Sequence, residues 1–165
     1  DALLAAKIGS ATVADAVTEK SGQTGEKVEL PFYAKIEAPM CISYVHSNKK
    51  LGTIIGFSKE VPHEVAYDVA MQAAAMAPVA IAEADCPADV VEKERQIGRE
   101  QARLEGKPEN MLDKIADGKL RKFFAENTLL NQSFVKDPKQ TVGQYIKSAD
   151  KDAEVIAYKR FSLND

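Results

Sequence analysis

Residues 92–124 read EKERQIGREQARLEGKPENMLDKIADGKLRKFF, a charged, helix-forming run with few large apolar side chains. Near its middle, Gly106 supplies the left-handed conformation that ends many helices, and Pro108 suits the first turn of a new helix. The GKP tripeptide therefore predicts a turn between two helices. Because this turn is short, we expect the two helices to lie antiparallel.

The large apolar residues of these two helices form narrow stripes. The stripes consist of Val90, Ile97 and Leu104, seven residues apart, in the first helix, and of Leu112, Ile115 and Phe123, with Met111 and Leu120 beside them, in the second. Such stripes can contact one neighbouring helix but are too narrow to bury both helices in a core. We therefore predict that residues 87–127 form an antiparallel coiled-coil hairpin that projects from the protein. The alternative is a helical pair that lies on the main sheet.

Segments with a period of two predict a small sheet. Residues 28–36 alternate apolar and polar side chains and predict a half-buried strand, with Pro31 at an edge or a bulge. Two β-rich runs at 41–46 and 51–57 flank the turn-forming SNKK and predict a hairpin. A final strand near 153–161 must return to the sheet that this hairpin begins.

Helices and loops fill the rest of the chain. Helical patterns cover residues 2–18, with a break near Gly9, a segment that begins at Pro62, and residues 141–148. Residues 20–25 are polar and contain two glycines, which predicts a loop, and residues 129–138 look irregular. Strands and helices are segregated rather than alternating, so we predict an α+β fold. Its small antiparallel β-sheet is covered by helices, and the helical hairpin projects from it.

Composition restricts the class of protein. The chain has 165 residues, a net charge of −3 and a pI of about 5.5, which argues against direct nucleic-acid binding or attachment to a membrane surface. No apolar run approaches the length of a membrane span. Cys41 and Cys86 lie far apart and are expected to be free thiols in a reducing cytosol, so we expect a cytoplasmic protein. The chain opens at Asp1 without an initiator Met, and we expect a fragment or a processed product.

The signals for chemistry are weak. His46 follows a predicted strand that contains Cys41, but their odd separation places the two side chains on opposite faces. The spacings typical of zinc sites and of phosphate-binding loops do not occur. We therefore predict no catalytic residue, no metal site and no cofactor, and favour a binding module over an enzyme. A thiol or hydrolytic enzyme that uses Cys41 and His46 stays open, as does a protein-binding adaptor with a coiled-coil arm.

Several motifs in one order resemble a known family. They are GKP, then K-I-x-x-G-K-x-x-K-F at 114–123, L-L-x-Q-x-F-V-x-D at 129–137, T-V-G-Q at 141–144 and a closing R-F. With S-Y-V-H at 43–46 upstream, this pattern resembles bacterial elongation factor Ts over about residues 20–163.

The resemblance implies a guanine-nucleotide exchange factor of translation, which binds elongation factor Tu and speeds GDP release. Members of this family have a core of two related α+β subdomains and a helical hairpin that projects from the second. By this resemblance, residues 1–37 are the remainder of the first subdomain, residues 38–86 and 128–163 form the second, and residues 87–127 form the hairpin. The resemblance leaves open whether the chain forms a homodimer.

The resemblance also implies partner-binding residues. The family's S-Y-x-H motif falls on Tyr44 and His46, although His46 at a strand end would equally serve to cap the hairpin. The family's K-I-G-E loop falls on residues 23–26, which gives Thr24, Gly25 and Glu26 as contacts. Thr24 replaces an apolar Ile and is expected to weaken one contact, and Gly25 would also suit a plain turn.

One departure concerns the exchange step. The family's T-D-F-V motif, whose Phe enters the nucleotide-binding domain of the partner near Mg²⁺, does not occur in this sequence, and we expect it to lie upstream of the chain. The exposed face of the second subdomain's sheet should meet domain 3 of elongation factor Tu. We therefore expect the chain to dock weakly on that partner and to accelerate GDP release little.

Overall fold

The structure is a computed structural model, and it describes residues 2–163. Contacts between residues divide the chain into two compact units, Asp1–Lys35 and Ile36–Asp165. Each unit is described by itself below. Both contain helices and small antiparallel sheets, so the predicted α+β class is confirmed.

The first unit contains two helices joined by a short β-ribbon. Helix α1 (Ala2–Ala5) precedes strands β1 (Lys7–Ile8) and β2 (Ala11–Thr12), which confirms the predicted break near Gly9. Helix α2 (Val13–Thr24) begins with a capping box, in which the Thr12 hydroxyl accepts from the N–H of Asp15 and the Asp15 carboxylate accepts from the N–H of Thr12.

Helix α2 runs further than the sequence suggested. Residues 20–24 are helical, so the predicted loop at 20–25 is wrong. The Thr18, Ser21 and Thr24 hydroxyls each donate to the carbonyl four residues earlier, so these polar side chains are satisfied within the helix. The helix ends where Gly25 takes the left-handed conformation, with φ of 70°.

The strand predicted at residues 28–36 is also wrong. The structure has no regular secondary structure at residues 27–38, and the side chains of Leu30 and Phe32 are exposed. An alternating pattern indicates an extended chain, but a strand additionally needs ladder hydrogen bonds with a neighbour, and Pro31 has no N–H to donate. The alternating pattern alone therefore predicted one strand too many.

The main sheet lies in the second unit and has three antiparallel strands in the order β3-β4-β7. Strand β3 (Met40–Val45) forms a hairpin with β4 (Leu51–Phe57), and β7 (Val155–Ser162) pairs with the other edge of β4. The predicted hairpin and the return of the last strand are both confirmed. The register places Tyr44 opposite Thr53 and Gly56 opposite Ala157.

Helix α3 (His63–Met76) covers one face of this sheet. The Thr53 hydroxyl donates to the carbonyl of Ala70 at 2.8 Å, which fixes the helix on the central strand. The core beneath the helix consists of buried residues that include Ile55, Phe57, Val69, Ala73, Leu129, Val142 and Ile146.

On the face of the sheet opposite α3, the chain segment that precedes β3 passes close to Gly56. A Cβ atom at this position would lie 2.9 Å from both the Ile36 Cγ2 and the Ala38 Cβ atoms. The chain entering β3 therefore packs directly on the sheet at this point, and glycine is required because a side chain would occupy the same space.

The predicted helix–turn–helix at GKP is confirmed. Helix α4 (Ala88–Leu104) ends in a Schellman motif, in which the N–H of Gly106 donates to the Arg103 carbonyl and the N–H of Lys107 to the Ala102 carbonyl. Gly106 has φ of 73°. A short 3₁₀ turn (Glu109–Met111) then leads into helix α5 (Leu112–Asn127).

The seam between α4 and α5 differs from the predicted one. Val90 and Ile97 are half-buried, but Leu104 is 88% exposed, so the predicted stripe in α4 is wrong at Leu104. The buried residues are instead small in α4 and four apart in α5: Gly98 and Ala102 face Leu112, Ala116, Leu120 and Phe124. A Cβ atom at Gly98 would lie 3.2 Å from the Cα atom of Ala116, so the two backbones approach closely at this point.

Ion pairs confirm that the two helices are antiparallel. Arg95 contacts Asp117 at 3.0 Å, Arg99 contacts Asp113, and Arg103 contacts Glu109 at 2.8 Å, so later residues of α4 meet earlier residues of α5. These pairs are largely exposed, so solvent screens them and each contributes little to stability. The pairs therefore indicate how α4 and α5 are aligned along each other, and they add little to the stability of the hairpin.

Replacing the glycine of α4 and the glycine of α5 by larger residues should have opposite effects. Gly98→Leu is expected to lower the free energy of unfolding by about 1–3 kcal/mol, because the side chain would overpack against the Ala116 backbone. Gly118→Ala should raise it by up to about 1 kcal/mol, since no atom lies within 4 Å of the added Cβ and alanine favours the helix. Urea denaturation measures both, and equal effects would contradict the close crossing.

Residues 129–138, which the sequence predicts to be irregular, contain most of a further small hairpin. Strand β5 (Ser133–Phe134) pairs with β6 (Asp137–Thr141), and helix α6 (Val142–Ala149) follows with Thr141 as its cap. These strands are too short and too interrupted in pattern for a period of two to reveal them. The helix predicted at 141–148 is confirmed.

A polar network joins α3 to this hairpin and to α6. The buried Asp68 carboxylate accepts from the Lys136 ammonium at 2.6 Å and from the Tyr145 hydroxyl at 3.0 Å. Burial, followed by the hydrogen bond to the Asp68 carboxylate, raises the pKa of Tyr145 to about 12. Gln72, also buried, accepts from the N–H of Val135 at 2.9 Å. The network therefore fixes the position of α3 on the side away from the sheet.

Candidate partner-docking surface

His46 closes the β3–β4 hairpin through its backbone. Its N–H donates to the Leu51 carbonyl at 2.9 Å, and its carbonyl accepts from the N–H of Lys49 at 2.8 Å. Lys49 has φ of 57°, the left-handed conformation that tight turns use. Because the backbone performs the capping, the imidazole is left for other contacts.

The side chains of Tyr44 and His46 are brought together. Residues two apart on a strand point to the same face, and the Tyr44 hydroxyl lies 2.9 Å from Nδ1 of His46. Tyr44 is half-buried against the core, whereas His46 is exposed at the end of the sheet. The pair thus exposes the imidazole of His46, while the ring of Tyr44 that it bonds to is packed against the core.

Two residues of α3 that the sequence did not single out for this site continue the surface. Tyr67 meets Tyr44 edge to face, with ring centroids 5.5 Å apart, and His63 stacks on Tyr67 at 6.2 Å. We call His46, Tyr44, Tyr67 and His63 the ring row. Residues 44 and 67 come together only when the helix packs on the sheet, so a local sequence pattern could not reveal this contact.

The opposite face of β3 carries Cys41, Ser43 and Val45. Val45 is 64% exposed, and Cys41 is an exposed free thiol. Cys41 and the His46 imidazole therefore lie on opposite sides of the sheet, which rules out the catalytic pair that the sequence left open. Within residues 2–163, no cluster of three or more His, Cys, Asp or Glu side chains could hold a metal ion.

Thr24, Gly25 and Glu26 belong to the first unit and form the end of α2. All three are exposed. The N–H of Gly25 donates to the Ser21 carbonyl at 3.0 Å, and the Thr24 hydroxyl donates to the Lys20 carbonyl at 3.0 Å. The conformation of Gly25 explains why glycine stands there, because other residues avoid a φ of 70°.

Among residues 2–163, every helix is too short or too polar to span a bilayer.

In the second unit, the exposed features near the ring row are a hairpin end, a strand face and a helix start. Such an arrangement offers side chains for recognition of a surface.

Comparison with known proteins identifies the family. The family model described as Elongation factor TS matches residues 1–165. Elongation factor Ts of Porphyromonas gingivalis is 47% identical over 153 residues, which cover 93% of this chain and 56% of that relative. Elongation factor Ts of Azobacteroides pseudotrichonymphae is 48% identical over 149 residues, covering 90% of this chain and 54% of the relative.

A more distant relative gives the same result. Elongation factor Ts of a Hydrogenobaculum strain is 42% identical over 161 residues, which cover 98% of this chain and 58% of that relative. The chain thus spans little more than half the length of the curated relatives that it matches. Its residues match those of the relatives almost from end to end, and the chain belongs to the elongation factor Ts family.

Proposed function

We propose that this chain docks on elongation factor Tu in the cytoplasm and takes part in nucleotide exchange during translation elongation, without catalytic chemistry of its own. The observation that carries this proposal is the S-Y-V-H motif, whose Tyr44 and His46 form an exposed hydrogen-bonded pair at the end of the hairpin. In the resemblance, this motif supplies the histidine that meets the nucleotide-binding domain of the partner.

The end of α2 supplies the second group of contacts. Thr24, Gly25 and Glu26 are exposed and stand where the family has its K-I-G-E loop. The Thr24 hydroxyl is engaged by a backbone carbonyl, so this residue offers a single methyl group where an isoleucine would offer a larger apolar surface. This contact is therefore weaker than in a chain with isoleucine at the same place.

The open face of β3 supplies a third contact. Val45 and Ser43 meet domain 3 of elongation factor Tu, and the exposure of Val45 supports this role. The domain organisation that we propose follows the resemblance: residues 1–37 belong to a first subdomain, 38–86 and 128–163 form a second, and 87–127 project as the helical hairpin. The small-residue seam supports the hairpin, because α4 and α5 bury their contacts against each other.

Exchange depends on a difference in affinity. A factor promotes GDP release at equilibrium only when it binds the nucleotide-free partner more tightly than the GDP-bound partner. The chain contains no T-D-F-V motif and so has no Phe to displace the elements that hold phosphate and metal. It therefore binds both forms of elongation factor Tu with similar affinity.

Isothermal titration calorimetry tests the docking. The wild-type chain should bind nucleotide-free elongation factor Tu saturably at one to one, and its affinity for the GDP-bound form should lie within about tenfold of that value. His46→Ala should weaken binding by about tenfold, the value of one lost hydrogen bond to the partner. Lys151→Ala, an exposed residue in a different turn, is the control and should change nothing.

The docking proposal fails if the wild-type chain releases no heat with either form at concentrations up to those that saturate a full-length relative. It also fails if His46→Ala and Lys151→Ala bind as tightly as the wild type. Circular dichroism of each variant must first match the wild type, so that a change in affinity reports the surface rather than the fold.

A further inference from the structure

We infer that Tyr44 is a positioning residue, which holds the neutral His46 imidazole in the tautomer that carries its proton on Nε2. The imidazole then offers this single N–H to an oxygen acceptor of the partner. The tautomer concerns the chain alone, whereas the acceptor on the partner rests on the proposed docking to elongation factor Tu.

The tautomer follows from the hydrogen bond. A neutral imidazole has one nitrogen that donates and one that accepts, and the partner of one nitrogen decides the role of the other. Here Nδ1 of His46 lies 2.9 Å from the Tyr44 hydroxyl oxygen. A phenol donates more readily than it accepts, because its oxygen lone pairs are delocalised into the ring. Tyr44 therefore donates, Nδ1 accepts, and the proton resides on Nε2.

The surroundings keep Tyr44 in place. Its ring packs against the core and meets the Tyr67 ring at 70° and 5.5 Å, an edge-to-face contact. Tyr67 in turn precedes Asp68, the buried carboxylate that Lys136 and Tyr145 hold. The ring of Tyr44 is thus held by packed elements, which fixes its hydroxyl oxygen beside Nδ1 of His46 before any partner arrives.

The outward nitrogen is available. Among the described residues, the side-chain hydrogen bond of His46 engages Nδ1, and the ring is exposed. Nε2 lies across the ring from Cβ, on a side chain that is exposed. Pre-oriented donors lose less conformational freedom on binding than mobile ones, which gives Tyr44 an effect on affinity without a contact of its own.

Amide substitutions separate the two ring nitrogens. The side-chain N–H of glutamine reaches the position of Nε2, whereas that of asparagine reaches the position of Nδ1. His46→Gln should bind elongation factor Tu within about threefold of the wild type, and His46→Asn should bind about tenfold more weakly. Tyr44→Phe should weaken binding by about threefold to tenfold through lost orientation alone. Asparagine binding better than glutamine would overturn the inference.

Nitrogen-15 NMR of the neutral imidazole tests the tautomer in the free chain. We expect the shifts of the Nε2–H tautomer in the wild type, and a mixture of both tautomers in Tyr44→Phe, which keeps the ring packing and so the fold. A predominant Nδ1–H form in the wild type, or identical shifts in the two proteins, would overturn the inference. Because no partner is present, this result is independent of the docking proposal, and a failure to bind elongation factor Tu would count against that proposal alone.

Discussion

Phe57→Ala is expected to lower the free energy of unfolding by about 3–5 kcal/mol, the range for a buried phenylalanine truncated in a core. Phe57 is fully buried at the end of β4, where it packs with α3 and the start of β7. Its truncation leaves a cavity beneath the helix, since the Thr53–Ala70 hydrogen bond and the Asp68 network hold α3 in place and limit collapse. Such a loss would be a large part of the stability of a small domain.

A conservative change at the same position serves as the control. Phe57→Leu keeps much of the volume and should cost less than about 1.5 kcal/mol. Urea denaturation followed by circular dichroism measures both variants. Alanine and leucine variants of equal stability would mean that the site is not a packed core position.

The second unit was largely predictable because its signals are local. The turn-forming SNKK, the GKP tripeptide and the helical pattern at 141–148 are each local signals, and the structure places elements where they indicate. The strand proposed at 28–36 failed for the opposite reason. Alternation is a local property, whereas strand pairing depends on a second segment that a single pattern does not specify.

The helical seam shows a second limit. Large apolar residues were expected to mark the contact along both helices. In α4 the buried residues are instead Gly98 and Ala102, and the backbones approach closely where Gly98 meets Ala116. Leu104 followed the expected period and is nevertheless exposed. A glycine inside a helix is only a partial signal, because Gly98 marks the close approach whereas Gly118 has no atom within 4 Å of an added Cβ.

Some contacts of the candidate site could be predicted from the sequence and others could not. Tyr44 and His46 share a strand face, so their contact follows from spacing. Tyr67 and His63 join them only through the packing of α3 on the sheet, which spacing does not specify. Likewise, Gly25 was visible as a turn residue, but the helical conformation of residues 20–24 before it was not.

Release of a fluorescent GDP analogue from elongation factor Tu is expected to stay within about twofold of its spontaneous rate when this chain is added in excess. The reason is that docking contacts shared by the GDP-bound and nucleotide-free forms do not change the balance between them. In the proposed docking, the Tyr44–His46 pair and the end of α2 are contacts of this kind, and the sequence contains no T-D-F-V motif.

The same stopped-flow experiment, repeated with a full-length elongation factor Ts as the exchange catalyst, tests docking and exchange together. Excess chain should slow the catalysed release by competing for the same surface of elongation factor Tu, and His46→Ala should need a higher concentration to do so. Acceleration by the chain alone to the full-length rate, or catalysed release unchanged at saturating chain, would contradict a docking surface that binds without promoting exchange.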